Sequence, residues 1–171
     1  MLLPVPAELH SAVPLAPATA QAVAAHRDTV AAVLDGKDPR LLVVVGPCSV
    51  HDTEAALEYA DLLGGAARRL ADDLVVVLRA YLEKPRTALG WKGLLDSPGL
   101  DGKSDLAAGL RAGRSFLVEA AGRGLPLAYE FVDPLLARTW RTRSPGPPSG
   151  PARSPASPIG TWPRGCPCPS A

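Results

Sequence analysis

Two hydrophobic rhythms alternate along this chain. Leu41-Leu42-Val43-Val44-Val45 is an unbroken Leu and β-branched run, the pattern of a strand buried on both faces of a parallel sheet. It ends at Gly46-Pro47-Cys48-Ser49. Asp52-Thr53-Glu54 then opens a helical stretch, Ala55 to Ala71, where Leu57, Ala60, Leu63 and Ala67 recur near the 3.6-residue period. Leu74 to Leu78 predicts a second buried strand, running into Arg79-Ala80-Tyr81-Leu82-Glu83-Lys84. After a Gly-rich loop from Gly90 to Gly102, Asp105 to Gly122 predicts another amphipathic helix, with Leu106, Leu110, Phe116 and Leu117 as candidates for its core face. Leu125 to Val132 predicts a third strand, ending with Glu130 and Asp133. Upstream, Ala18 to Leu34 is Ala-rich and stops at Asp35-Gly36, the signature of a helix with a glycine stop. Residues 1–17, interrupted by Pro4, Pro6, Pro14 and Pro17, predict an extended docking arm or loop.

The order helix, β, α, β, α, β predicts an α/β fold built from right-handed parallel βαβ units. Charged or reactive residues gather at the C-terminal end of each strand, where sites assemble in such folds. Three strands are too few for a (β/α)8 barrel, which takes about 250 residues. The region reads as the first third of something larger.

Composition divides the chain again. Nine of its 19 prolines lie between Pro145 and Pro169, and residues 138–171 carry five Arg and no acidic residue. All 17 Asp and Glu therefore fall in residues 1–137, with 13 of the 18 Lys and Arg. The near-neutral net charge of +1 is the sum of an acidic body and a basic, proline-rich tail. We divide the chain into an N-terminal arm and helix (1–40), a β/α body (41–137) and an irregular tail (138–171). An acidic body and a tail of dispersed arginines predict no nucleic-acid partner. No apolar run approaches the ~20 residues of a membrane span, and no basic n-region marks a secretory signal. Three cysteines, Cys48, Cys166 and Cys168, make no disulfide framework. These features predict a cytoplasmic protein with no membrane partner.

Cys48 follows Pro47 at the mouth of the first strand. It is either a thiolate, serving as nucleophile or soft metal ligand, or a small buried apolar residue. The tight turn around it favours a site, which His51 could join, although a lone His is more often a hydrogen-bonding residue at a helix start. Arg79, Lys84 and Arg86 place three cations within eight positions. They form either a solvated basic loop or a grip for phosphate and carboxylate oxygens. Pro85, Thr87 and Gly90-Trp91-Lys92-Gly93 stiffen the run and favour the grip. Glu130 is placed to orient one of those cations or a water, or else to stand on the surface. No GxGxxG or P-loop supports nucleotide binding, and Cys166-Pro167-Cys168 lacks zinc-site spacing.

Assembled, Leu41 to Asp52 (LLVVVGPCSVHD) and Glu83 to Leu94 (EKPRTALGWKGL), with Gly124-Leu125-Pro126 and Glu130 to Asp133, resemble type I 3-deoxy-D-arabino-heptulosonate 7-phosphate (DAHP) synthases. GPCS alone is shared by several sugar-acid synthases. GPCSVHD followed by EKPRT and GWKG is specific to the Phe/Tyr/Trp-sensitive branch, and GWKG argues against a synthase using a different aldose. The likeness covers about residues 5–137. It implies the first three β/α units of a (β/α)8 TIM barrel, preceded by an N-terminal helix. It also implies condensation of phosphoenolpyruvate with D-erythrose 4-phosphate and water to DAHP and phosphate, the first step of the shikimate pathway. By the resemblance, a divalent metal (Mn, Fe, Co or Zn) ligated by Cys48 polarises the aldehyde. Arg79 and Lys84 bind phosphoenolpyruvate, with Lys84 nearest the reacting centre. Lys84, Pro85, Arg86 and Thr87 receive erythrose 4-phosphate, and Glu130 positions substrate or water. A homo-oligomer inhibited by an aromatic amino acid is implied as well. Leu82 and Ala88 depart from the family's usual Phe and Thr, and the Asp96 to Gly99 loop is altered.

The tail departs altogether. The family's third strand is followed by a helix and a segment like LADLVSWAAIGART, where Thr139 to Ala152 read TWRTRSPGPPSGPA. Joining the third base of each codon to the first two of the next lets Thr139-Trp140 give Leu, Trp140-Arg141 give Ala and Arg141-Thr142 give Asp. The shifted text continues to permit the family-like run. An insertion or deletion near Ala137 to Thr139 is therefore expected, and resequencing the gene there is the check. The resemblance places the remaining metal ligands (a His, a Glu and an Asp) beyond the third strand, so the chain is expected to be a truncated, inactive synthase. The alternative is a non-catalytic module that binds a partner through its N-terminal arm or proline-rich tail.

Overall fold

The computed structural model describes residues 3–84 and 90–132. In chain order these form α1 (Pro6–Ala12), α2 (Pro17–Leu34), β1 (Leu41–Val45), α3 (Thr53–Arg69), β2 (Leu74–Ala80), α4 (Leu106–Gly122) and β3 (Leu127–Tyr129). Residues 138–171, the expected irregular tail, lie outside the described residues.

The helix boundaries follow from local chemistry. The Asp52 carboxylate accepts hydrogen bonds from the Glu54 and Ala55 amides at 2.9 and 3.1 Å, satisfying donors that the first turn of α3 leaves without partners. Glu54 in that first turn and Arg68 and Arg69 in the last oppose the helix dipole at each end. Asp105 caps α4 in the same way, accepting from the Ala108 amide at 3.0 Å.

The three strands form one parallel sheet in the order β1-β2-β3. Central β2 divides its side chains by the two-residue period. Leu78 and Ala80, with Leu82 just beyond, join the main core, which Leu57 and Ala60 of α3 and Leu110, Phe116 and Ala120 of α4 complete. Val75 and Val77 point the other way, into a smaller cluster with Val30 of α2, Leu42 of β1 and Ala128 of β3. Arg79 shares the parity of Val75 and Val77, so the smaller-core face of the sheet leads up to the charged rim.

Three expectations are corrected. Pro6 to Ala12 is helical instead of extended, because Pro6 occupies the first turn, where it forfeits no hydrogen bond. The Glu8 carboxylate accepts from the Val5 amide at 3.1 Å, and Leu9 is buried in the main core. β1 is not buried on both faces: Leu41 and Val44 are 65% and 43% exposed. Only β2 pairs with it, so half its neighbours are missing among the described residues. β3 is shorter than the apolar run suggests. Leu125 is a core residue ahead of the strand, and Pro126 contributes only its carbonyl, accepting from the Leu78 amide at 2.8 Å.

A buried arginine ties α4 to the segment before α2, and a partly buried histidine lies within α2. Arg114 of α4 is 5% exposed, and its Nε donates to the Val13 carbonyl at 2.8 Å. Burial lowers its pKa, because a desolvated guanidinium is costly. His26 of α2 has a buried Nδ1 with no hydrogen-bond partner among the described residues, and burial lowers its pKa below the ordinary value. A folded-state pKa below the unfolded one means that protonation favours unfolding. The contribution is present above the unfolded value of about 6.5 and fades as pH falls below it. The urea midpoint of the wild-type chain is therefore expected to drop between pH 7.5 and 5.5, and that of His26→Gln to drop less. Equal drops in both chains would assign the effect to other groups.

Candidate active site

Cys48, Arg79, Lys84 and Glu130 come from the C-terminal ends of all three strands. Cys48 lies three residues past β1 and is exposed, so the reading of it as a buried apolar residue is overturned. The Lys84 ammonium donates to the Cys48 carbonyl at 2.7 Å and lies 3.2 Å from the Cys48 sulfur. Arg79 Nη2 stands 3.5 Å from a Glu130 carboxylate oxygen. Glu130 is more than half exposed, so this pair contributes orientation more than stability.

Tyr81 joins the two halves. Its ring carries the Arg79 guanidinium at 4.4 Å from the centroid and the Lys84 ammonium at 4.5 Å, both within cation–π range. The Tyr81 carbonyl accepts from the Val50 amide at 2.9 Å, fastening the end of β2 to the turn that carries Cys48. Burial raises the Tyr81 pKa, and the Glu130 carboxylate adds to the rise.

Behind this group lies a buried brace. Glu83 is 6% exposed, and its carboxylate accepts a short hydrogen bond from the Tyr129 hydroxyl. Glu83 forms an antiparallel bridge with Gly93, and the Lys84 amide donates to the Lys92 carbonyl at 2.9 Å. Gly93 has φ +107°, and a Cβ there would overlap the Leu82 carbonyl oxygen, so only glycine lets the two segments meet. Trp91 packs against the main core and donates its indole N–H to the Ser97 carbonyl at 2.9 Å. The Gly90 to Gly93 segment is thus anchored by its aromatic ring.

The sequence singled out Cys48, Arg79, Lys84 and Glu130, and the fold brings them to one rim. Pro85, Arg86, Thr87 and Asp133 lie outside the described residues. His51 packs edge-on against Trp91, with centroids 6.5 Å apart, and the neighbouring Asp52 caps α3. Sequence reasoning missed Tyr81 and the Glu83–Tyr129 brace. Strand alternation held the signal for Tyr81, which lies two residues past Arg79 and therefore on the same face.

Among the described residues no three His, Cys, Asp or Glu side chains converge as a metal site would require. The one soft donor at the rim, Cys48, has an ammonium for a neighbour. The divalent metal implied by the resemblance is therefore not matched by these residues alone. What they assemble is an open, cation-bearing rim suited to a small phosphorylated or carboxylated anion. No helix among the described residues is long and apolar enough to cross a membrane.

Relatives with similar sequences share one named activity. The Tyr-sensitive phospho-2-dehydro-3-deoxyheptonate aldolase of Salmonella typhimurium is 48% identical over 133 residues, covering 78% of this chain and 37% of its own length. The Trp-sensitive enzyme of that name from Enterobacter agglomerans is likewise 48% identical, over 78% of this chain and 38% of its own. The chain thus spans little more than a third of these relatives. A solved phospho-2-dehydro-3-deoxyheptonate aldolase from Francisella tularensis superposes with a TM-score of 0.77 at 38% identity, covering 82% of this chain and 41% of that one. The three-stranded parallel sheet and its helices accordingly correspond to the first units of a TIM barrel. Residues 16–140 match the DAHP synthetase I family, and the chain belongs to that family.

Proposed function

We propose that this chain carries the phosphoenolpyruvate-binding rim of a DAHP synthase. The reaction is the condensation of phosphoenolpyruvate with D-erythrose 4-phosphate and water, releasing DAHP and phosphate. The observation that carries the reading is the convergence of Arg79 and Lys84 beside Cys48 and Glu130, at the strand ends of a chain in this family. Arg79 presents a planar fork, and Lys84 a movable point charge. Together they would hold the carboxylate and phosphate of phosphoenolpyruvate so that its C3 faces the aldehyde. Glu130 would keep Arg79 aimed or hold the water that adds at C2. Lys84, with Pro85, Arg86 and Thr87, would receive erythrose 4-phosphate. A metal bound through Cys48 needs donors beyond residues 3–84 and 90–132. Inhibition by an aromatic amino acid, assembly into a homo-oligomer and a cytoplasmic location complete the reading.

We also propose that residues 138–171 are read out of frame. The family match ends at residue 140, close to the expected frame change, which supports this view. The 171-residue chain is then a binding half without turnover. In titration calorimetry it is expected to bind phosphoenolpyruvate, yet to form no DAHP and release no phosphate when erythrose 4-phosphate and Mn²⁺ are added. Steady phosphate release would overturn the loss of activity, and no heat of phosphoenolpyruvate binding would overturn the binding role.

A further inference from the structure

Arg79 and Lys84 are like charges brought to one place, an arrangement that costs energy until an anion arrives. Both contact the Tyr81 ring, the guanidinium carbon at 4.4 Å and the ammonium nitrogen at 4.5 Å from its centroid. Tyr81 is itself immobilised. It is 6% exposed, and its carbonyl is tied to the Val50 amide. Each cation is tethered elsewhere as well, Arg79 by Glu130 and Lys84 by the Cys48 carbonyl and sulfur. The tethers differ in kind: an exposed carboxylate is easily exchanged for a substrate anion, while a backbone carbonyl is fixed.

We infer that Tyr81 is a positioning residue, whose ring sets the spacing between Arg79 and Lys84 so that both engage one phosphorylated carboxylate. This inference rests on the reading of the rim as a phosphoenolpyruvate site. The face of an aromatic ring carries negative potential, so it holds both cations at van der Waals distance without neutralising either. A formal anion in the same place would compete with the substrate. An aliphatic residue would leave the cations free to swing apart. The ring, not the hydroxyl, does this, so phenylalanine suffices and leucine does not.

The test uses the full 171-residue chain with Tyr81→Phe and Tyr81→Leu. Titration calorimetry reads phosphoenolpyruvate affinity, and NMR of reductively ¹³C-methylated lysines reads whether Lys84 sits on a ring, assigned by its loss in Lys84→Arg. Tyr81→Phe should bind within about twofold of wild type and Tyr81→Leu about tenfold more weakly. The ring-shifted Lys84 methyl signal should persist in the first and vanish in the second. Unfolding midpoints separate this from lost folding, since a merely structural role would lower midpoint and affinity together and would not spare the Phe variant's ring shift. Wild-type affinity in Tyr81→Leu with the ring shift gone would overturn the inference. Absence of a ring-shifted Lys84 signal in wild type would also overturn it, whatever the affinities. If wild type shows the shift but binds no phosphoenolpyruvate, the site reading fails and this role for Tyr81 falls with it.

Discussion

Replacing Gly109 with alanine is expected to destabilise the chain by about 2 kcal/mol, although alanine is the better helix former. Gly109 sits in α4 where that helix crosses the Leu94–Leu95 backbone, and a Cβ built there would overlap the Leu95 carbonyl oxygen. The obstacle is main chain, which cannot rotate aside as a side chain could. Overpacking of this kind costs about 3 kcal/mol or more at its upper end. The gain in helix propensity returns only about 1 kcal/mol. The steric term wins. Gly122, the last residue of the same helix, has nothing within 4 Å of its would-be Cβ, so Gly122→Ala should be neutral or slightly stabilising. Urea unfolding of the two variants beside wild type is the measurement, and equal midpoints would remove the close crossing as a determinant. The consequence reaches the site. Leu95 donates to the Leu82 carbonyl at 3.3 Å, and Gly93 bridges Glu83, so displacing α4 also disturbs the segment that presents Lys84.

Lys84→Met should lower the affinity for phosphoenolpyruvate about 10- to 100-fold, the range for removing a charge-assisted hydrogen bond worth about 1.5–3 kcal/mol. Methionine keeps most of the length and apolar stem of lysine, so the loss reports the ammonium. That ammonium is already placed by the Cys48 carbonyl and the Tyr81 ring, so little ordering remains to be done on binding, which favours the upper half of the range. Lys84→Arg should rescue little. A planar fork cannot occupy the same point between a carbonyl at 2.7 Å and a ring at 4.5 Å. Lys37, just past the end of α2, is highly exposed and among the described residues pairs with Asp35 at 2.9 Å, so Lys37→Met serves as the charge control. Should both lysine variants bind alike, the rim would be acting through net charge alone.

The N-terminal segment shows where local signals misled. Four prolines in residues 1–17 suggested an extended arm, yet Pro6 opens α1 and Leu9 fills a place in the main core. Nothing near Leu9 in the sequence announces that core. Its partners are more than forty residues away, and the Val13 carbonyl is held by Arg114 at 2.8 Å across a separation of 101 residues. The first strand shows the reverse. Its run Leu41 to Val45 matched β1 to the residue, but its burial did not follow, because apolar character marks what a strand can bury and only neighbours decide what it does bury.

By itself the sequence determined the element order from α2 onward, the parallel βαβ class and four of the rim residues. Helix periodicity, strand runs and caps are properties of contiguous residues, and a β/α alternation leaves few other topologies. The motif text also placed the chain in its family before any coordinates. Only the tertiary structure decided that Lys84 leans on Cys48, that one Tyr81 ring serves two cations, and that Glu83 is buried against Tyr129. Lys84 and Cys48 are 36 positions apart, and Glu83 and Tyr129 are 46. Pairings at that distance depend on strand register and on two turns meeting, and no local pattern encodes them. Each is fixed by hydrogen bonds and close packing that exist only once the sheet has formed.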